Sequence, residues 1–195
     1  MPKGLFNFGG GGVNAFGSLC GVPLGAAALL AQLGAPQNVK NRLMHWYETT
    51  AMPSNACYED YASGLWTPGG TSGGVWGGAT GLTIPTNNVP MSRSDSVLCH
   101  VSLTKWRAAA EGYMAKTRVD GTSDRCGKLC YDMGVFLVGL LNDWKAGVVI
   151  DGTVAPSATV AGCKNPSCHG GPVVDENCPT TAQGIMDCKP CHTGL

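Results

Sequence analysis

Apolar residues recur along four stretches of this chain at the three- and four-residue spacing of a buried helix face. The first runs from near Pro23 to Gln32 or Leu33, with Gly34 placed to act as a C-cap. The second follows Pro36 and sets Val39, Leu43 and Trp46 or Tyr47 on one face; it must end before Pro53. The third is introduced by "SRSDS" and carries Leu98, Val101 and Trp106 toward Tyr113. The fourth opens at "TSDRC", with Ser123 or Asp124 as N-cap, and carries Leu129, Met133, Phe136, Leu137, Leu140, Leu141 and Trp144. The pattern predicts a mainly α fold: a helical domain over residues 1–150, then an irregular segment over residues 151–195.

Two regions break the periodicity. Between the second and third helices, "GLWTPGGTSGGVWGGATGLTIPTNNVP" places eight glycines from Gly64 to Gly81, which no regular helix survives. Trp66 and Trp76 need a surface to cover, which favours a lid or subunit-contact arm over a flexible tip. From about Asp151 onward the segments are short and contain Pro and Gly, so they cannot build a core from their own side chains. A bound cofactor would have to serve as that core.

Composition narrows the class. At 195 residues and 20.1 kDa the chain suits one domain with a small appendage. Lys plus Arg and Asp plus Glu both total 13, so no basic field invites nucleic acid or an anionic membrane. Partners are therefore cofactors or proteins. The apolar run Leu19 to Ala35 is too short and Gly-rich for membrane insertion, and it lacks the basic border of a signal peptide. Ten cysteines exceed what a reduced cytosolic protein carries.

Four of those cysteines explain themselves. "MDCKPCHTGL" sets Cys188 and Cys191 two residues apart and follows them with His192. A disulfide gives no reason for that histidine, and a zinc site would not require it next to Cys191. Covalent haem attachment does: two thiols add to the vinyl groups, and the next residue supplies an imidazole to the iron. "CKNPSCHG" repeats the pattern with a wider C-x4-C-H spacing, a form that resembles multihaem cytochromes c. Cys163, Cys168, Cys188 and Cys191 then hold two covalently attached haem c groups, with His169 and His192 as proximal ligands. Haem attachment of this kind takes place outside the cytoplasm, so the expected location is periplasmic or extracellular, although no export signal is visible.

The histidine count points the same way. The chain has four, and two bis-histidine haems need four axial ligands, leaving His45 and His100 as distal candidates. Met44, Met52, Met133 and Met186 are the alternatives, and would raise the potential. Consecutive helical residues diverge by about 100°, so His100 can face a haem while Cys99 faces elsewhere. Cys126 and Cys130, four apart, would share one helix face in its first turn, where the dipole favours thiolates and a metal site; core filling is the plain alternative.

Three segments carry a family resemblance. "FNFGGGGVNAFGSLCGVPLGAAALLAQLG" resembles the glycine run and C-G-A-x-x-G motif of small cysteine-rich redox proteins, with Val22 in place of Ala. "SVLCHVSLTKW" and "RCGKLCYDMGVFLVGLLND" are similar to that family's two later cysteine segments. With the haem-binding tail added, the whole resembles the split-Soret cytochrome c family, which implies a dimer with closely stacked haems beside an iron-sulfur site. The resemblance assigns Cys20, Cys99 and Cys126 as cluster ligands; Cys130 matches no family cysteine and enters by its spacing, with Cys57 and Cys178 in reserve. It favours a 2Fe-2S cluster, although thiolates suit zinc equally well. The function expected is electron transfer between redox partner proteins. The alternatives are a small-molecule reductase with one open iron, and a filament of stacked haems in place of a homodimer or other closed homo-oligomer.

Overall fold

A computed structural model describes residues 7–65, 87–111 and 122–153. The expected tryptophan-bearing arm and the haem-attachment segment, with Cys178, lie outside the described residues, as does the stretch toward Tyr113. The described part is mainly α, as the periodicity requires.

Helix α1 spans Gly21–Gln32, α2 Gln37–Thr49, α3 Ala56–Ala62, α4 Cys99–Ala109 and α5 Thr122–Lys145. Gly34 ends α1 as expected: it takes φ +72°, and the Ala35 amide then reaches the Leu30 carbonyl at 2.9 Å. The turn leaves room for Pro36 to open α2, so the two helices pack as neighbours against α5. Their shared core holds Leu30, Val39, Leu43, Tyr47, Leu129, Met133, Leu137 and Leu140. Each such buried apolar side chain contributes about 1.5–3 kcal/mol. Trp46 of α2 stacks on Phe136 of α5, with ring centroids 4.2 Å apart. A second, smaller cluster surrounds Trp106 of α4 with Val89 and Ala110.

Four features depart from the sequence expectation. The first helix begins at Gly21, not Pro23, which makes Cys20 its N-cap residue. The fourth predicted helix, α5, begins at Thr122, ahead of the expected Ser123 or Asp124 cap. "SRSDS" is more than a helix lead-in: β2 (Ser92–Arg93) pairs antiparallel with β1 (Ala51–Met52), joining Ala51 to Arg93 and Met52 to Ser92. Helix α3 was not foreseen. Among the described residues no helix is long and apolar enough to cross a membrane.

Candidate redox-centre site

The glycine run before Cys20 shapes the site. From Gly11 to Ala15 the backbone stays in the left-handed region, so the segment coils tightly and returns along α4. At Gly12, φ is +75° and a Cβ would lie 2.6 Å from the Cys99 Cβ, so only glycine permits this approach. The returning chain then pairs with the start of α4 through an antiparallel bridge between Leu19 and Leu98. Two bonds close it: Cys20 N–H to Val97 O at 2.9 Å, and Cys99 N–H to Ser18 O at 2.7 Å.

That bridge fixes Cys20 and Cys99 side by side at the starts of two helices. Cys20 is the N-cap residue of α1 and Cys99 the first residue of α4. Their thiols are hydrogen-bonded, which is the main reason Cys20 is pulled down to about 6; Tyr47 and Arg125 act in the same direction, against burial. Cys99 is held high for the complementary reason, as the partner that keeps its proton. Of the pair, Cys20 is therefore the sulfur that gives up its proton more readily.

Cys126 and Cys130 join from α5, both within electrostatic reach of the pair: Cys126 acts on Cys99, and Cys20 acts on Cys130. Cys130 is exposed, yet enough protein crowds its thiol to push it up to about 11. Because α5 starts at Thr122, these cysteines occupy its second and third turns. The first-turn placement expected for them is corrected, and the dipole instead favours Cys20 and Cys99. All five described cysteines are thiols. Among the described residues no three His, Cys, Asp or Glu side chains close into a metal-binding arrangement.

Arg125, next to Cys126, is 3% exposed and supplies the cation of the site. Its Nη2 donates to Ser102 Oγ at 2.6 Å, and its guanidinium carbon lies 5.6 Å from the Trp106 ring centroid. Among the described residues its Nε has no hydrogen-bond partner. A buried guanidinium is costly unless it faces negative charge, so its position beside the sulfurs suits a site that carries such charge. Neither Arg125 nor Tyr47 is legible as a site residue in the sequence. The one available hint is that Arg125 directly precedes a cysteine.

The two histidines differ. His100, exposed on α4, sets Nδ1 2.7 Å from the Gly17 carbonyl oxygen. A carbonyl can only accept, so Nδ1 carries the hydrogen and Nε2 keeps its lone pair in the neutral ring. Histidines that bind metals are oriented in this way. His45, half-buried on α2, lines a cleft of about 580 Å³ with Arg42, Phe136, Ile150 and Gly152. Met52 and Met133 belong to the apolar core, and Met44 is half-buried on α2. Cys57 is fully buried in a different group, with Lys128, Asp132, Asp124 and Asp60. Cys163, Cys168, Cys188, Cys191, His169, His192 and Met186 lie outside the described residues.

No protein-family profile matches the chain. It is 31% identical over 202 aligned positions to split-Soret cytochrome c of Desulfovibrio desulfuricans, which covers all of this chain and 61% of that relative. The chain thus spans about three-fifths of the curated relative's length. Against the solved structure describing a novel iron centre in split-Soret cytochrome c from the same organism, the TM-score is 0.66 at 31% identity. That match covers all of this chain and 71% of the other. Sequence and fold agree over the full length, so the chain belongs to the split-Soret cytochrome c family of c-type cytochromes.

Proposed function

We propose that this protein is an exported electron-transfer cytochrome with two bis-histidine haems and an additional thiolate-held iron centre, of iron-sulfur type, in the helical domain. The observation that carries the reading is the junction at the start of α4. There Cys99 turns to Cys20 while the adjacent His100 is held by Gly17 in the orientation of a metal ligand. One loop-helix junction thus presents a sulfur site and an imidazole site on neighbouring residues, which suits two redox centres within short reach.

The residues present fit both groups. His100 and His45 would serve as distal ligands, and Cys163, Cys168, Cys188 and Cys191 as attachment sites, with His169 and His192 proximal. Cys20, Cys99 and Cys126 would hold the second centre, completed by Cys130 or by a cysteine outside the described residues. When bound, these irons take up and release single electrons. The chain's own part is to hold them. The Leu19–Leu98 bridge fixes two sulfurs, Arg125 offsets their negative charge, and the apolar core keeps water from Cys20, which is 7% exposed. A homodimer or larger homo-oligomer accompanies this reading, since two attachment motifs so close in sequence would set two haems near each other, within reach of a neighbouring chain.

Iron, acid-labile sulfide and haem should be measured on one preparation, together with the mass of the denatured chain. Two haems in the mass and iron in excess of haem are expected. A mass increase of one haem would remove the C-x4-C-H site; iron equal to haem would remove the second centre.

A further inference from the structure

The glycine coil ahead of Cys20 ends in a side chain that the helical part does not use. Val13, Asn14 and Ala15 hold φ of +55°, +50° and +66°, a left-handed run that is unfavourable for any residue with a Cβ and most of all for a β-branched valine. The coil is closed by its own backbone: Asn14 N–H donates to Phe8 O at 2.7 Å, Ala15 N–H to Gly10 O at 3.0 Å and Gly17 N–H to Gly11 O at 3.0 Å. What this tied coil presents at its tip is Phe16, 87% exposed. The approach to Cys99 explains glycine at position 12, but not a phenylalanine held out in water.

The next residue gives the tip its chemical setting. Gly17 O accepts the His100 backbone amide at 3.1 Å and the His100 Nδ1 hydrogen at 2.7 Å. A Cβ on Gly17 would lie 3.2 Å from the His100 Cβ, so the coil runs directly against this residue. Consecutive Cα atoms are about 3.8 Å apart, so Phe16 branches from the chain one short step from an exposed imidazole whose Nε2 keeps its lone pair. A bare metal ion would use that nitrogen and ignore the phenyl ring; a protein partner would use the ring and ignore the nitrogen. A haem uses both, since it offers an iron to Nε2 and a broad apolar macrocycle around it.

We propose that Phe16 is a haem-contacting residue: it covers the macrocycle whose iron His100 binds, and by excluding water there it raises that haem's reduction potential. The inference rests on His100 being a distal ligand, as in the proposed function. Ferric haem carries one more positive charge than ferrous haem, and water stabilises the more charged form. An apolar cover therefore favours reduction and moves the potential upward. The left-handed backbone at Val13, Asn14 and Ala15 then has a use, since it fixes Phe16 relative to the same ring that Gly17 orients.

The test is an optical redox titration of the haem-loaded full chain carrying Phe16→Ala, Phe16→Leu or His100→Ala, with size-exclusion chromatography on the same samples. In Phe16→Ala one haem midpoint should fall while the other stays, with both haems low-spin and non-haem iron at its wild-type content. Phe16→Leu, which restores an apolar cover, should recover most of the shift. The midpoint that moves should be the one that His100→Ala removes. A shift with assembly weakened supports the proposal with the haem of a second copy, and a shift with assembly intact supports it with the chain's own haem. Two unchanged midpoints in Phe16→Ala overturn the proposal, as does movement of the midpoint that His100→Ala leaves in place. Wild-type spectra and midpoints in His100→Ala overturn the assignment of His100 as a ligand, and this proposal with it.

Discussion

Cys57 lies fully buried among Lys128, Asp132, Asp124 and Asp60, and burial, the largest influence, pushes its thiol up to about 12. The fold therefore keeps Cys57 neutral through a pH range in which the unfolded chain has already ionised it. Above pH 9 the unfolded state binds fewer protons than the native state, so this residue makes stability fall as pH rises, by at most about 1.4 kcal/mol per pH unit. Cys57→Ala should cost about 1 kcal/mol at neutral pH through lost packing, and the deficit should shrink between pH 9 and 11. Urea unfolding of both proteins across that range checks it; a deficit that does not change with pH would mean the thiol titrates normally. Gly12 makes the opposite kind of demand, for space rather than solvation. Gly12→Ala would force a Cβ to within 2.6 Å of the Cys99 Cβ, at a φ that alanine rarely adopts. It should lose non-haem iron with haem content unchanged, as read by iron and haem assays. At this scale the cysteines and histidines were legible because their chemistry is rare and their spacing informative. Tyr47 was legible only as a core position and Arg125 not at all, since their part depends on contacts between residues 55 and 23 positions away from Ser102.

Among the elements, α1, α2, α4 and α5 could be placed because each buries one face and so repeats its apolar residues at helical spacing. Helix α3 escaped because its seven residues, "ACYEDYA", bury only Cys57 and repeat nothing. Helix starts were harder than helix bodies for a related reason. Cys20 and Leu98 cap α1 and α4 without any side-chain hydrogen bond, and the two ends are set instead by the bridge between distant segments. Such a long-range pairing has no local signature, yet it is what brings two sulfurs together. The link from α3 to α5 offers a separable test. Asp132 of α5 accepts from the Ser54 amide at 2.7 Å and the Ser54 hydroxyl at 2.5 Å, tying down the turn that leads into α3. Asp132→Ala leaves both donors without that acceptor and should destabilise the fold by about 1–3 kcal/mol in urea unfolding. Non-haem iron should stay, because Asp132 serves the turn and not the sulfurs. Loss of iron together with stability would show that the α3–α5 contact also supports the site.

For the whole molecule, the sequence leads to the expectation of a helical part with its own apolar core and an attachment segment that would take haem as its core. The described residues bear on how the two meet. His45 lines a cleft together with Ile150, Asp151 and Gly152, at the point where the chain leaves the helical part for the attachment segment. His100 is exposed, and its Nδ1 is already committed to Gly17, so any iron on its Nε2 must come from outside the described residues. These surroundings predict different consequences for the two histidines. His45→Ala and His100→Ala should each turn one of the two haems high-spin, and the reduced variants should bind carbon monoxide at one haem per chain where the wild type binds none. If the haem reaching His100 belongs to a second copy of the chain, His100→Ala should also weaken assembly. His45, beside the departure of its own tail, should leave assembly intact. Optical spectra with carbon monoxide and size-exclusion chromatography on the same samples separate the outcomes. Assembly lost in both variants would place both distal ligands across the interface. Two variants with wild-type spectra would assign the distal positions to residues other than the four-histidine count selects.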